Sequence, residues 1–164
     1  MEGKTKILFV CLGNIVRSPL AENLFRRLTQ LNGIEDQFVL DSAGVGDWHV
    51  GEPPDSRMRR VAQQHGLVYD GRARQISHRD LQAFDLIIAM DRENSASLRG
   101  LARSAQEEAK IHMLREFDPQ SNHPQASVPD PYYGDLDAFE EVYQIIERSC
   151  HGLLMALQSG ELKA

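Results

Sequence analysis

The segment Ile7–Pro19, ILFVCLGNIVRSP, constrains this chain more than any other. An apolar, β-rich run (Ile7, Leu8, Phe9, Val10) ends in Cys11, and a short loop containing Gly13 and Asn14 follows. Arg17 comes six residues after the cysteine, and Ser18-Pro19 open an amphipathic stretch. A loop that curls from a strand into a helix N-terminus aims its backbone N–H groups at one small volume, and the helix dipole adds positive charge there. An arginine beside it supplies a planar, two-pronged donor. Such a place suits a phosphate or another oxyanion. A cysteine at the loop's start lies in the same field, where its thiolate is favoured as a nucleophile. The other reading of Cys11, a buried structural thiol at a strand end, ignores everything around it.

The rest of the chain extends the same pattern. Residues 5–10 read as a first strand, and 18–31 as a helix with Leu20, Leu24, Phe25, Leu28 and Leu31 at helical spacing. Ser18 and Pro19 suit its N-cap and first turn, and Asn32-Gly33 its end. Strands are predicted at 37–41, 85–90 and 109–114, and a helix over 55–65 stopping at Gly66. Asp91 suits the cap of a further helix. The final helix carries one apolar stripe from Leu136 through Phe139, Val142, Tyr143, Ile146, Cys150, Leu153 and Leu154 to Leu157, which places Cys150 in the core. Alternating β and α elements predict one α/β domain over residues 1–164, a three-layer sandwich around a four-stranded parallel sheet, flavodoxin-like in order. The ligand site belongs beyond the carboxyl ends of the strands.

Residues 117–131 (FDPQSNHPQASVPDP) read as one long loop, and loops of that length in compact domains are often functional. It ends in Asp130 between two prolines, followed by Tyr132, Tyr133 and Gly134. Hydrolysis of a phosphate ester needs an acid for the leaving oxygen, and Asp130 is a candidate, with Asp91 and Asp118 as alternatives. From spacing alone, a plain Asp-Pro turn with packed tyrosines is an equal reading.

At 164 residues with a net charge of −6, the chain is long enough for a real core and is not composed like a nucleic-acid binder. No run approaches a membrane span, and MEGKTK does not read as a secretory signal. Two cysteines make no disulfide framework, so reduced thiols and a cytoplasmic location are expected. The six histidines (49, 65, 78, 112, 123, 151) show no metal-ligand spacing, and neither metal nor cofactor is expected.

CLGNIVRSP resembles the signature of the low-molecular-weight protein tyrosine phosphatases. The likeness continues through LDSAGVGDWHVGEPPD (40–55), RARQIS (72–77), FDLIIAMDREN (84–94), VPDPYYGD (128–135) and FEEVYQIIERSCHGLL, covering nearly all of residues 5–158. The resemblance implies hydrolysis of phosphotyrosine in proteins, and of small aryl phosphates, through a phosphocysteine intermediate. It implies Cys11 as nucleophile and Arg17 as clamp, with the phosphate held by the loop of Leu12, Gly13, Asn14, Ile15, Val16, Arg17 and Ser18. Ser18 would ease departure of the sulfur. Asn14 would hold the loop in a left-handed conformation, supported by Ser42, and Asp130 would be the general acid. Leu12, Trp48, Tyr132 and Tyr133 would line the slot around the substrate ring. Tyrosine-phosphorylated proteins would be the partners, with no nucleic acid and no membrane involved. Two positions depart from the vertebrate members. Val16 stands where they have a second loop cysteine, and Gly71 where they have a histidine behind Asn14. Arsenate reduction on the same fold needs two further relay cysteines, and 85–105 has none. A non-catalytic phosphotyrosine-binding module would lack the nucleophile or the acid, and this chain keeps both.

Overall fold

The computed structural model describes residues 3–163. Four strands, β1 (Thr5–Cys11), β2 (Phe38–Gly44), β3 (Leu86–Ala89) and β4 (Ile111–Met113), form a sheet in the order β2-β1-β3-β4. Every neighbouring pair is parallel. The helices are α1 (Arg17–Leu31), α2 (Ser56–Gln64), α3 (His78–Ala83), α4 (Arg92–Leu101), α5 (Ala105–Glu108) and α6 (Leu136–Ser159).

β1 is flanked by β2 and β3 and packed by helices on both faces, so its apolar run is continuous rather than alternating. The alternation survives in where the side chains go. Ile7, Phe9 and Cys11 point into the larger core with Leu20, Leu24 and Phe25 of α1, Met58 of α2, and Phe139 and Ile146 of α6. Leu8 and Val10 point into the smaller core with Ile87, Ala89, Leu81 of α3 and Leu98 of α4. From β1 the chain crosses to β2 on one side and later to β3 on the other. The carboxyl end of β1, where Cys11 sits, is therefore the point at which strand order reverses and a crevice opens.

The expected elements are present, with shifted edges. β2 runs to Gly44 because Ser42, Ala43 and Gly44 pair with Phe9, Val10 and Cys11, although none of the three is a strong β-former. Helix α1 begins at Arg17, with Val16 as its N-cap and no side-chain cap bond. Ser18 is therefore inside the first turn rather than capping it, and Pro19 follows there, where a missing N–H costs nothing. Asn32 caps the far end, and Gly33 adopts φ +69°. Helix α6 starts from Asp135, whose carboxylate accepts the Ala138 N–H at 3.0 Å. Its stripe is buried from Phe139 through Leu154, with Leu157 half-buried, whereas Leu136 at the first residue is 42% exposed. Cys150 is fully buried.

Candidate active site

Residues 11–17 turn from the end of β1 into the start of α1. Three of the loop's carbonyls are held from outside: Cys11 and Leu12 accept the N–H groups of Val45 and Gly46, each at 2.9 Å, and Ile15 accepts that of Asp55 at 2.8 Å. Peptide planes whose C=O groups face outward turn their N–H groups toward the loop's interior. Gly44 lets the neighbouring strand approach this closely, since a Cβ there would lie 3.0 Å from the Asn14 nitrogen.

Asn14, at φ +58°, is the one non-glycine residue with positive φ among the described residues. Asparagine tolerates this conformation better than most residues. Its side chain uses both donors and its acceptor: Nδ2 donates to Ser18 Oγ (2.9 Å) and Ser42 Oγ (3.0 Å), and Oδ1 accepts the Arg74 backbone N–H (2.9 Å). Ser42 passes its proton on to Glu22 Oε1 at 2.8 Å, and Glu22 also pairs with Arg26. Gly71 borders a small cavity of roughly 120 Å³ beside this network. The Arg74 amide holds Asn14 without any side chain at position 71.

Ser18 Oγ lies 3.1 Å from Cys11 Sγ and 3.4 Å from the Ala43 carbonyl. The hydroxyl has a single proton, which the Ala43 carbonyl or the sulfur can accept, and a thiolate at Cys11 can only accept. In the thiolate form of Cys11 the Ser18 hydroxyl is therefore in place to donate to the sulfur. Arg17 is 2% exposed. Its Nη1 donates to Asp91 Oδ2 and to the Val128 carbonyl, each at 2.9 Å, and its Nη2 lies 3.5 Å from Asp130 Oδ2.

These groups meet in one cavity of about 420 Å³. The buried residues Cys11, Ile15, Val16 and Arg17 line it together with Gly13 and Asp130. Its rim is Leu12, Trp48, Tyr132 and Tyr133, with Trp48 66% and Tyr133 96% exposed. The two tyrosine rings meet edge-on, centroids 5.0 Å apart. Trp48 folds back over Gly46, where any Cβ would collide with the indole. Asp130 also accepts the Tyr132 N–H at 3.1 Å, a turn that orients its own carboxylate. The structure thus brings together Cys11, Arg17, Asp130 and the four rim residues, with Asn14, Ser18 and Ser42 behind them.

Asp91, an alternative acid in the sequence reading, does not line the cavity but reaches it through Arg17, whereas His49 lines it and was not assigned to it from the sequence. Asp91 caps α4 through Oδ1, as expected (Asn94 N–H, 2.7 Å), but its other oxygen holds Arg17. Its position at the carboxyl end of β3, beside β1, was the available signal. His49 packs over Gly13, pairs with Glu52 at 3.0 Å and faces the Tyr132 ring. Asp118, by contrast, is buried between Arg115 (3.0 Å) and Arg148 (2.8 Å) and does not line the cavity. Among the described residues no group of three or more His, Cys, Asp or Glu side chains is placed to hold a metal ion.

The family model described as low molecular weight phosphotyrosine protein phosphatase matches residues 6–163. The chain belongs to this family. It is 46% identical over 153 residues to the low molecular weight protein-tyrosine-phosphatase YfkJ of Bacillus subtilis, covering 93% of this chain and 95% of that one. It is 43% identical over 152 residues to the low molecular weight phosphotyrosine protein phosphatase of Sus scrofa, covering 90% and 92%. The crystal structure of a protein tyrosine phosphatase from Entamoeba histolytica, with Hepes in its active site, superposes with a TM-score of 0.91 at 37% identity, covering 97% of this chain and all of that one. The phosphatase fold here is the expected four-stranded parallel α/β sheet.

Proposed function

We propose that the chain is a single phosphatase domain that hydrolyses phosphotyrosine in proteins, and small aryl phosphates, through a phosphocysteine. One observation carries the reading: a cysteine sulfur, a buried arginine and a carboxylate converge on a cavity with aromatic walls. The phosphoryl oxygens occupy the loop, held by its inward N–H groups and the Arg17 fork. Cys11 Sγ attacks phosphorus in line, and the bond to the phenolic oxygen breaks. Asp130 gives its proton to that oxygen, so no free phenolate departs. In the second step the Asp130 carboxylate takes a proton from water as it attacks the phosphocysteine. Sulfur leaves as thiolate, accepting the Ser18 hydrogen bond. The transition state places its charge on three equatorial oxygens, so catalysis rests on positioned donors.

The aromatic walls support phosphotyrosine over phosphoserine, because a flat ring packs against Trp48, Tyr132 and Tyr133. Phosphate and other tetrahedral oxyanions are the small ligands of the loop. A cytoplasmic site of action agrees with the two free cysteines, and among the described residues no helix is long and apolar enough to cross a membrane.

Cys11→Ser tests the mechanism. Turnover should vanish while phosphate still binds, since the loop and Arg17 are unchanged. Turnover that survives the change refutes the phosphocysteine, and equal hydrolysis of phosphoserine peptides refutes the slot.

A further inference from the structure

Asp130 sits in a segment without regular structure, between Phe117 and Leu136, yet it must deliver a proton to one oxygen above Cys11. The two halves of the site come from distant parts of the chain. One pair of residues at the start of α2, Asp55 and Arg57, touches both. The Asp55 N–H donates to the Ile15 carbonyl of the phosphate loop at 2.8 Å. Its carboxylate caps α2 through the Arg57 N–H (2.8 Å) and accepts Arg57 Nη2 (2.8 Å) and Nε (3.2 Å). The guanidinium, so fixed, donates from Nη1 to the Tyr132 carbonyl at 2.8 Å, 75 residues away. It also stacks between two rings, 5.1 Å from the centroid of Tyr132 and 4.6 Å from that of Phe139. Phe139 is fully buried in α6. Tyr132, in turn, gives its N–H to Asp130.

We propose that Arg57 is a positioning residue for proton transfer, a strut that fixes the Asp130–Tyr132 segment at a set height above the phosphate loop. The proposal rests on Asp130 being the acid. Arg57 does not line the cavity and touches no reacting atom. It acts through the peptide of Tyr132, and through it on both the acid and one wall of the slot. Only arginine fits the place. Its planar fork satisfies a carboxylate with Nε and Nη2 while Nη1 reaches a carbonyl, and its flat face lies against the rings. Lysine supplies one point charge and cannot hold both ends.

The prediction is selective. Losing the strut leaves the loop and Arg17 in place, so oxyanion affinity should change by roughly threefold or less. Proton delivery suffers, because misplacement by about an ångström costs on the order of 10²-fold. The test measures kcat/KM for a series of aryl phosphates with leaving groups of rising basicity, in Arg57→Met and Arg57→Lys, beside competitive inhibition by inorganic phosphate. Arg57→Lys keeps a cation beside Asp55 and guards against a failure to fold. Both variants should lose little with a nitrophenolate leaving group and up to about 10²-fold with an unactivated phenol. Neither should steepen the dependence further in an Asp130→Asn background. An equal loss for every leaving group, or a loss confined to phosphate affinity, overturns the strut. Asp130→Asn alone keeps the two readings apart. If that variant shows no dependence on the leaving group, the assignment of the acid fails. If it does and Arg57→Met does not, Asp130 stands and Arg57 is merely structural.

Discussion

Asp91→Asn isolates one function of a residue that performs two. In the native protein one carboxylate oxygen caps α4 and the other holds Arg17. An amide of the same shape has a single acceptor oxygen. If that oxygen keeps the cap, the amide NH₂ faces the guanidinium; if the group flips, the cap is lost. Either way a hydrogen bond between charged partners is lost, worth about 1.5–3 kcal/mol. Asp91 is 21% exposed, so some screening applies and a loss of about 2 kcal/mol in folding stability is expected. Asp91→Ala should cost about 1 kcal/mol more, the usual worth of an N-cap. The effect on catalysis is separate. Without Asp91, the nearest carboxylate to Arg17 is Asp130, already 3.5 Å away. The guanidinium should turn toward it, leaving the phosphoryl oxygens and engaging the proton donor. A loss in kcat/KM on the order of 10²-fold follows, about 2.7 kcal/mol of transition-state stabilisation. Phosphate affinity should fall with it, because the same fork holds substrate and transition state. Urea unfolding reads the first effect; aryl phosphate kinetics and phosphate inhibition read the second. A variant that is destabilised yet turns over within about threefold of the native rate would show that Arg17 aims itself.

Two further outcomes follow from buried groups. Burial pushes the Asp118 carboxyl up, but bonds from Arg148, the Gln120 N–H and Arg115 outweigh it and hold it below the usual range. A carboxyl depressed in the folded state stabilises above its unfolded value of about 3.9 and loses that contribution as pH falls through the lower folded value. Asp118→Asn should therefore cost about 2–3 kcal/mol at pH 7, less than a fully buried pair because both arginines reach solvent, and the gap from the native protein should close below about pH 4 in urea titrations; a gap independent of pH would mean the charge is irrelevant. Peroxide should inactivate Cys11 with only partial recovery by thiol reductants, since a sulfenic acid without a partner thiol is oxidised onward to sulfinic acid: Val16 has no thiol, and Cys150 is fully buried, its thiol pushed up by burial and by Glu147. Full recovery with a disulfide between residues 11 and 150, read by intact mass, would refute this.

What could be read from the sequence divides along physical lines. β1 was visible because its last five residues, Ile7 to Cys11, are buried on both faces and form an unbroken apolar run. Helix α6 was visible because 24 residues give its stripe many turns to repeat. The short helices α3 and α5, of 6 and 4 residues, escaped because periodicity needs more than one or two turns. The last residues of β2 are strand only because β1 lies beside them, and nothing in Ser-Ala-Gly announces it. Ser18 looked like an N-cap because hydroxyls before helices usually are; here the hydroxyl serves the sulfur and the asparagine instead.

The site divides in the same way. Cys11 to Ser18 are consecutive, so their pattern shows in the chain; Asp130 with its tyrosines reads equally as a plain turn, and only the family resemblance singles it out. Everything that gives these groups direction comes from elsewhere. Arg17 is aimed by an aspartate from the end of β3 and a carbonyl from the long loop. Asn14 is held by the peptide N–H of Arg74, a donor that every residue but proline offers and that no side chain identifies. The shape of the 11–17 loop depends on Val45, Gly46 and Asp55, whose N–H groups draw its carbonyls outward. The residues proposed to do chemistry are marked by type, whereas those proposed to aim them are marked only by where the fold places them. Asp91, Arg57 and Arg74 are therefore where substitutions should alter rates without touching a reacting atom.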